Sequence, residues 1–440
     1  MPEVKLEMDV AKRMLRPFYC FFVLTKKQKR NLRIGFATVL MVAVCYRIIR
    51  FIQYKESPGP NMFRSVNKTK LILVLTPWPF EPWGPRNAEE AQHYKFTDWD
   101  GTPCEEDRCQ ITFDRRLRNF SDAVLVHNAG TYNPKFDIEE AKRNRPTAQR
   151  WVFYSKESPE VAGVGTRADG VYNWTATYRR DSDFFVPYGS YAPLEIQTKP
   201  AAGDVTHEQV PLNKRTKTAE EFAEQADENV NYAKGKDKMA TFGNSKHCNQ
   251  KGARFSFVSA LMKHIDISLY GNCATMFESN NTWQCPRRNG QIDNDCAEEL
   301  QRHKFYLAFE NSLCVDYITE KYWRNSLERG LVPVVLGGAQ YDPELVIPGS
   351  FINVADFNSV KDLADYLKYL DKNDTAYNQY FQWKTKYKVV KYNFWLCQLC
   401  KALHDPTKPA KIYHKISEFM GAKGSCKVGE EHIRGIISRG

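Results

Sequence analysis

The stretch Phe305 to Gly330, FYLAFENSLCVDYITEKYWRNSLERG, constrains the fold of this 440-residue chain more than any other. Phe305 to Phe309 is an apolar, aromatic run of the length of a buried strand, and it ends at Glu310 and Asn311. After a short loop Thr319 stands where it can cap a helix from about Glu320, and Tyr322, Trp323 and Leu327 recur at roughly helical spacing until Gly330. Leu331 to Leu336, LVPVVL, reads as the next strand. Strand, helix, strand in this order predicts a parallel sheet, whose ligands sit beyond the carboxyl ends of strands and near helix N-termini. Glu310, Asn311, Glu320 and Lys321 fall at that place, and a lysine there suits a diphosphate leaving group that gains negative charge as its bond breaks. The same Glu320 and Lys321 also fit a solvated first helical turn.

Charge is unevenly distributed. Residues 1–55 carry 12 Lys or Arg against 3 Asp or Glu, and the remainder 51 against 49. The body of the chain is therefore close to neutral and gives nucleic-acid binding little support. Ile34 to Tyr46 is continuously apolar or small, and the run continues through Ile52 with Arg47 and Arg50 interleaved. It follows Lys26, Lys27, Lys29, Arg30 and Arg33, which predicts a signal anchor over 34–52 with a cytosolic tail, 1–33. A cleaved signal peptide is the rival reading, but the apolar run begins late and no small-residue cleavage pattern follows. Residues 53–69, with SPGP and no periodicity, read as a stem.

Ten cysteines lie beyond the anchor, an even number that suits disulfides in an oxidising lumen, although spacing does not reveal their pairing. Cys397 and Cys400 form a CxxC, for which zinc would require a second ligand pair, and His404 alone supplies weak support. Sequons at Asn67, Asn119, Asn173, Asn280 and Asn373 agree with a luminal, glycosylated chain.

Residues 70–197 alternate strand and helix signals, opening with KLILVL and continuing through AVLVH and WVFY. Glu157 follows the last of these, where a carboxylate can take the proton of a sugar hydroxyl; a surface glutamate at a strand end is the plain alternative. Downstream, YRRDSDFF contains Asp181 and Asp183 at the spacing of a DxD metal pair, which makes them weak candidates for Mn2+ or Mg2+. Residues 198–237 are polar and read as a linker with an insertion. From 238 to 390 a second set of strand and helix patterns includes Arg254 at a helix start. Residues 391–440 form a cysteine-containing terminal segment.

FENSLCVDYITEKYW, continued in VPVVLGG and DFNSVKDLADYLKYLDKN, resembles the donor-binding signature of the α1,3-fucosyltransferases, glycosyltransferase family 10; ESP at Glu157 and YNWTATYRRDSDFFVPYG resemble it too. The resemblance implies an α/β GT-B fold, two Rossmann-like domains facing a cleft, on a single-pass type II Golgi membrane protein. It implies inverting transfer of fucose from GDP-β-L-fucose to the 3-hydroxyl of N-acetylglucosamine on a glycoprotein glycan. Glu157 would be the base and Glu320 would stabilise the oxocarbenium-like sugar. Arg254 and Lys321 would hold the diphosphate, and Tyr178, Glu310, Asn311 and Tyr317 the nucleotide or fucose. No cofactor is required, with stimulation by Mn2+ or Mg2+ left open. The acceptor is read as the N-glycan core, with a Lewis-type antenna as the alternative; a glycan-binding protein without turnover and another GT-B transferase are the readings outside this reaction.

Overall fold

The computed structural model of the protein describes residues 69–439 apart from 77–83, 99–101, 129–137, 139–144, 195–229, 246–247, 249–252, 286, 289–290, 293, 391–394 and 410. The expected anchor at 34–52, the stem before residue 69, Asn67 and most of the polar insertion lie outside the described residues. Among the described residues no helix is long and apolar enough to cross a membrane.

Two six-stranded, wholly parallel sheets carry the structure. The first uses β1 (Lys70–Thr76), β2 (Cys109–Thr112), β3 (Ala123–His127), β4 (Arg150–Ser155), β5 (Trp174–Thr177) and β6 (Phe184–Phe185), in the order β2-β1-β3-β4-β5-β6. After β7 (Ser190–Pro193) the second uses β8 (Lys238–Gly243), β9 (Ile267–Tyr270) and β10 (Thr282–Trp283). Beyond a small hairpin, β11 (Arg287–Arg288) with β12 (Gln291–Ile292), it continues with β13 (His303–Phe309), β14 (Val332–Leu336) and β15 (Ile352–Asn353), in the order β10-β9-β8-β13-β14-β15. β16 (Tyr387–Val390) then pairs antiparallel with β7.

Strands buried on both faces need apolar residues at every position, which is why KLILVL and FYLAF show no alternation. The period of two survives in where each side chain goes. In β1, Ile72 and Val74 enter one core with Trp395, Leu396 and Leu399, while Leu73 and Leu75 enter another with Trp151 and Phe153. In β13, Phe305, Leu307 and Phe309 pack with helix Ala253–Leu261 and helix Val360–Lys372, and Tyr306 and Ala308 face Tyr322 and Trp323. Helix Val360–Lys372 starts where Ser359 caps it, its side chain accepting from Asp362 N at 3.1 Å.

One expected helix is not formed. After Thr319 the chain makes wide turns, in which Asn325 N donates to Glu320 O (2.8 Å), Leu327 N to Tyr322 O (3.2 Å), Glu328 N to Trp323 O (3.1 Å) and Leu331 N to Ser326 O (3.0 Å), and only Leu327–Arg329 forms a single turn of 3-10 helix. The four bonds run from i to i−5, wider than an α-helix. Tyr322, Trp323, Asn325, Ser326 and Leu327 are all buried, so the segment is packed on more than the one face that Tyr322, Trp323 and Leu327 define. Gly330, at φ 72°, closes it.

All ten cysteines from Cys104 onward pair: Cys104–Cys397, Cys109–Cys400, Cys248–Cys273, Cys285–Cys296 and Cys314–Cys426. Cys397 and Cys400 lie on helix Trp395–His404, and both bind it to the first sheet. Zinc ligation by this CxxC is thereby ruled out, because both sulfurs are consumed and His404 Nε2 sits 3.1 Å from Arg108 O. Loss of a native bridge costs about 2–5 kcal/mol. Thermal unfolding followed with and without dithiothreitol should therefore show a clearly lower midpoint on reduction, and an unchanged midpoint would contradict a structural role for these bridges.

Asn173 does not stand at the surface that a sequon suggests. It is 3% exposed, its Oδ1 accepts from Trp151 N at 2.9 Å, and its Nδ2 donates to Lys411 O at 2.8 Å. In this fold the side chain joins β4, β5 and the terminal segment, and a glycan on Nδ2 would have to displace Lys411. Asn119 and Asn280 are exposed and Asn373 is half-buried.

Candidate active site

Two loops carry the site, one leaving the carboxyl end of a central strand in each sheet. After β4 the chain turns through Lys156, Glu157 and Ser158, and after β13 it runs from Glu310 to Thr319. The loops are tied together by hydroxyls. Ser158 Oγ and Ser312 Oγ, both buried, lie 2.7 Å apart, and the buried Tyr317 hydroxyl donates to Glu157 Oε2 at 3.1 Å. Glu157 itself is exposed, so its carboxylate is held on one side and open on the other. The Tyr317 pKa is raised well above its usual value, first by burial and then by Glu157 and Glu310, which keeps the phenol a donor.

Arg180, in the turn after β5, ties a further segment of the first sheet to the second loop. Its backbone N donates to Asp316 Oδ2 (3.0 Å), its Nε to Asp316 Oδ1 (3.2 Å), and its Nη1 to Asp342 Oδ2 (2.9 Å) and Glu344 Oε2 (2.8 Å). Beneath the second loop Gly338 leaves no space for a side chain, since a Cβ there would lie 2.4 Å from the Leu313 carbonyl carbon. The glycines of VPVVLGG let the loop rest directly on the turn after β14.

Glu310 organises the second loop. Its buried carboxylate accepts from Thr319 N at 2.8 Å, Thr319 Oγ1 at 2.9 Å and Lys321 Nζ at 2.9 Å. Thr319, expected as a helix cap, spends its hydroxyl on Glu310, and Lys321 Nζ also donates to it at 2.8 Å. Burial pushes the Glu310 carboxyl up, against the pull of Lys321. Burial also opposes the Lys321 cation, yet Glu310 and Glu320 outweigh it and its pKa is raised. Three donors on one carboxylate favour the ionised pair. Glu320 Oε1 lies 3.6 Å from Lys321 Nζ, and although burial disfavours its charge, Lys321 and Arg324 hold its carboxyl below the ordinary range.

Beside this pair opens a cleft of about 560 Å³, lined in part by Arg254, Glu310, Asn311, Lys427, Glu430 and Arg434. Arg254 is buried in the first turn of helix Ala253–Leu261; burial lowers its pKa and Glu310 works against that. Asn311 Oδ1 is buried without a hydrogen-bond partner among the described residues, an unmet acceptor at the cleft wall.

Of the residues singled out from sequence, Glu157 and Tyr317 are hydrogen-bonded, with the Tyr178 ring packed edge-on at 4.9 Å from Tyr317. Arg254, Glu310 and Asn311 line the cleft, while Lys321, with its side chain 11% exposed, is turned onto Glu310. Asp181 and Asp183 do not converge as a metal pair. Asp181 is held by Arg179 at 2.9 and 2.6 Å. Asp183 accepts from Thr175 N (3.0 Å) and Tyr413 OH (2.9 Å) and pairs with Lys411 Nζ (2.7 Å). Each carboxylate is thus paired with a different cation.

Comparison with known proteins fits this geometry. Residues 67–189 match the family model "Fucosyltransferase, N-terminal", and residues 233–419 match "Glycosyltransferase family 10 (fucosyltransferase) C-term". Human 4-galactosyl-N-acetylglucosaminide 3-alpha-L-fucosyltransferase FUT6 is 35% identical over 375 residues, covering 82% of this chain and 88% of its own length. The chain belongs to glycosyltransferase family 10, the fucosyltransferases. A second relative, 3-galactosyl-N-acetylglucosaminide 4-alpha-L-fucosyltransferase FUT3 of Bos taurus, is 32% identical over 383 residues, covering 84% of this chain and 89% of its own. A solved α1,3-fucosyltransferase with GDP-fucose aligns over 79% of this chain and 92% of that one at 19% identity, with a TM-score of 0.44, too loose to equate single residues.

This family-10 glycosyltransferase holds three features that its sequence did not disclose: the Tyr317–Glu157 hydrogen bond, the Arg180 clamp and the entry of residues 427–434 into the cleft. The cysteines were the available signal for the last, since Cys314 sits inside FENSLC and Cys426 beside Lys427. Pairing, however, is not written in spacing.

Proposed function

We propose that the protein transfers fucose from GDP-β-L-fucose to the 3-hydroxyl of an N-acetylglucosamine on a glycoprotein glycan, with inversion to an α linkage. The observation that carries this reading is the hydrogen bond from Tyr317 to Glu157, which joins Glu157 to the loop whose Glu310 and Asn311 line a cleft with Arg254, in a chain of this family. In the proposed reaction the acceptor oxygen attacks the anomeric carbon as Glu157 takes its proton, and the bond to the diphosphate breaks with the electron pair leaving on the phosphate oxygen. Arg254 and Lys321 neutralise that leaving charge, and Glu320 stabilises the positive character on the sugar. Tyr178, Tyr317, Glu310 and Asn311 shape the donor site. No metal has a required part in this scheme; charge at the diphosphate comes from side chains.

The two parallel sheets are read as the paired Rossmann-like domains of a GT-B enzyme, about 70–197 and 238–390, with residues 391–440 as the terminal segment. We place the enzyme in the Golgi membrane as a type II protein anchored by residues 34–52. The basic residues before that run and the five disulfides suit a luminal body.

The proposed acceptor is the innermost N-acetylglucosamine of the N-glycan core, a reading supported by the cysteine pattern around CQLC. A galactosylated antenna is the second reading, favoured by the acceptors named for the relatives above. The test gives the enzyme GDP-fucose and two N-glycans, one with a free core and no antennae, the other with lactosamine antennae and a blocked core, with and without EDTA. Fucose on the first alone, insensitive to EDTA, is the expected result. Fucose on the second alone transfers the assignment to the antenna.

A further inference from the structure

The C-terminal segment past residue 419, where the family match ends, enters the cleft and brings a cation with it. Cys426 is disulfide-bonded to Cys314 in the middle of the FENSLC loop. Backbone bonds flank the bridge on both sides: Val315 N donates to Ser425 O at 2.8 Å, and Val428 N to Leu313 O at 2.9 Å. Lys427 lies between these bonds at φ 62°, a left-handed conformation that residues with side chains seldom adopt. Just beyond it, helix Glu430–Ser438 buries Ile433 and Ile436 in the core shared with helix Ala253–Leu261, whose first turn carries Arg254. The backbone around Lys427 is thus fixed to both halves of the donor site, the signature loop and the Arg254 helix.

The charges around the cleft differ in how far they are already neutralised. Glu310 is bound by Lys321 at 2.9 Å, and Arg434 by Glu430 at 2.6 Å. Lys427 lines the cleft, is exposed, and has no carboxylate within 4.0 Å among the described residues. Glu160, also exposed, lines the same cleft with its carboxylate within 4.8 Å of the Cys314 and Cys426 sulfurs, yet Lys427 is not ion-paired with it, so the lysine's charge is available to whatever binds there. Among ligands of the cleft, a nucleoside diphosphate is the one whose charge this answers.

We propose that Lys427 is a donor-binding residue, a cation additional to Arg254 for the nucleoside diphosphate, positioned by the Cys314–Cys426 bridge. This rests on GDP-fucose being the donor. Its charge acts on donor binding, so it raises affinity for GDP and GDP-fucose alike and leaves the acceptor side untouched.

The test titrates GDP into the wild-type enzyme, Lys427→Asn, Lys427→Arg and Lys423→Asn, and measures KM for GDP-fucose and for the acceptor. Asparagine tolerates the left-handed backbone, so the first variant removes charge without adding strain. Lys423 is an exposed lysine of the same segment that does not line the cleft, and its variant controls for the general field. Lys427→Asn is expected to weaken GDP and raise the donor KM together by about 10-fold, the worth of one charge-assisted hydrogen bond. The acceptor KM should stay within about twofold on the same grounds, since Lys427 acts on the donor alone. Lys427→Arg should restore most of the affinity and Lys423→Asn should match the wild type. Wild-type GDP affinity in Lys427→Asn, or an equal loss in Lys423→Asn, overturns the role of Lys427 and leaves the donor assignment standing. A wild-type enzyme that does not bind GDP overturns both.

Discussion

Glu157→Gln is expected to lower kcat by about 10²–10⁴-fold, the usual worth of a positioned general base, while GDP-fucose still binds. Glutamine keeps the length of the side chain and can still accept the Tyr317 hydrogen bond, which in the wild type spans 3.1 Å to Oε2. The loop between β4 and β5 should therefore stay in place, and the loss should fall on turnover rather than on folding or donor KM. A kinetic split of this kind separates a base from a surface glutamate at a strand end. Tyr317→Phe keeps the ring packed on Tyr178 and removes only the hydroxyl, so its effect should be smaller than that of Glu157→Gln. Turnover of Glu157→Gln at the wild-type rate would remove the base assignment.

Lys321→Met carries the second large effect, and it combines stability with chemistry. The Glu310 carboxylate is buried, and Lys321 is the cation that hydrogen-bonds it directly, at 2.9 Å. Removing one partner of a buried pair costs about 3–5 kcal/mol, because the remaining charge loses its hydrogen-bonded counter-ion and is left with the Thr319 donors and the field of Arg254. Burial already pushes the Glu310 carboxyl up, so without Lys321 it should take up a proton and the penalty should soften as the pH falls. Adding Glu310→Gln to Lys321→Met removes the stranded charge and should recover much of the stability. Turnover should not recover, because the cation proposed for the departing diphosphate is still missing. Thermal melts and kcat on the two single variants and the double variant check this. A Lys321→Met enzyme that melts like the wild type would contradict the description of the pair.

Much of the scaffold was legible because buried parallel strands must be apolar throughout. KLILVL, AVLVH, FYLAF and VPVVL all appear as central strands, within a residue or two of where the sequence puts them. The helix expected after Thr319 was not, since spacing alone made Tyr322, Trp323 and Leu327 look like one face, whereas the fold buries Asn325 and Ser326 as well. Individual side chains were harder still. Asn173 carries a sequon and Asp183 a DxD spacing, yet both are engaged in tertiary hydrogen bonds to residues more than 220 positions later. Such partners leave no local trace. The site residues themselves were reached through a long motif rather than through periodicity, and what the motif did not contain, the terminal segment at the cleft, was missed for the same reason.

The central claim is most directly tested by incubating the enzyme with GDP-β-L-fucose and an N-glycan bearing the accepting N-acetylglucosamine, quantifying released GDP and determining the product linkage by NMR. The account predicts one GDP per fucose transferred and a single α-linked fucose on the 3-oxygen. A β linkage, or GDP released without fucose on the glycan, would contradict it.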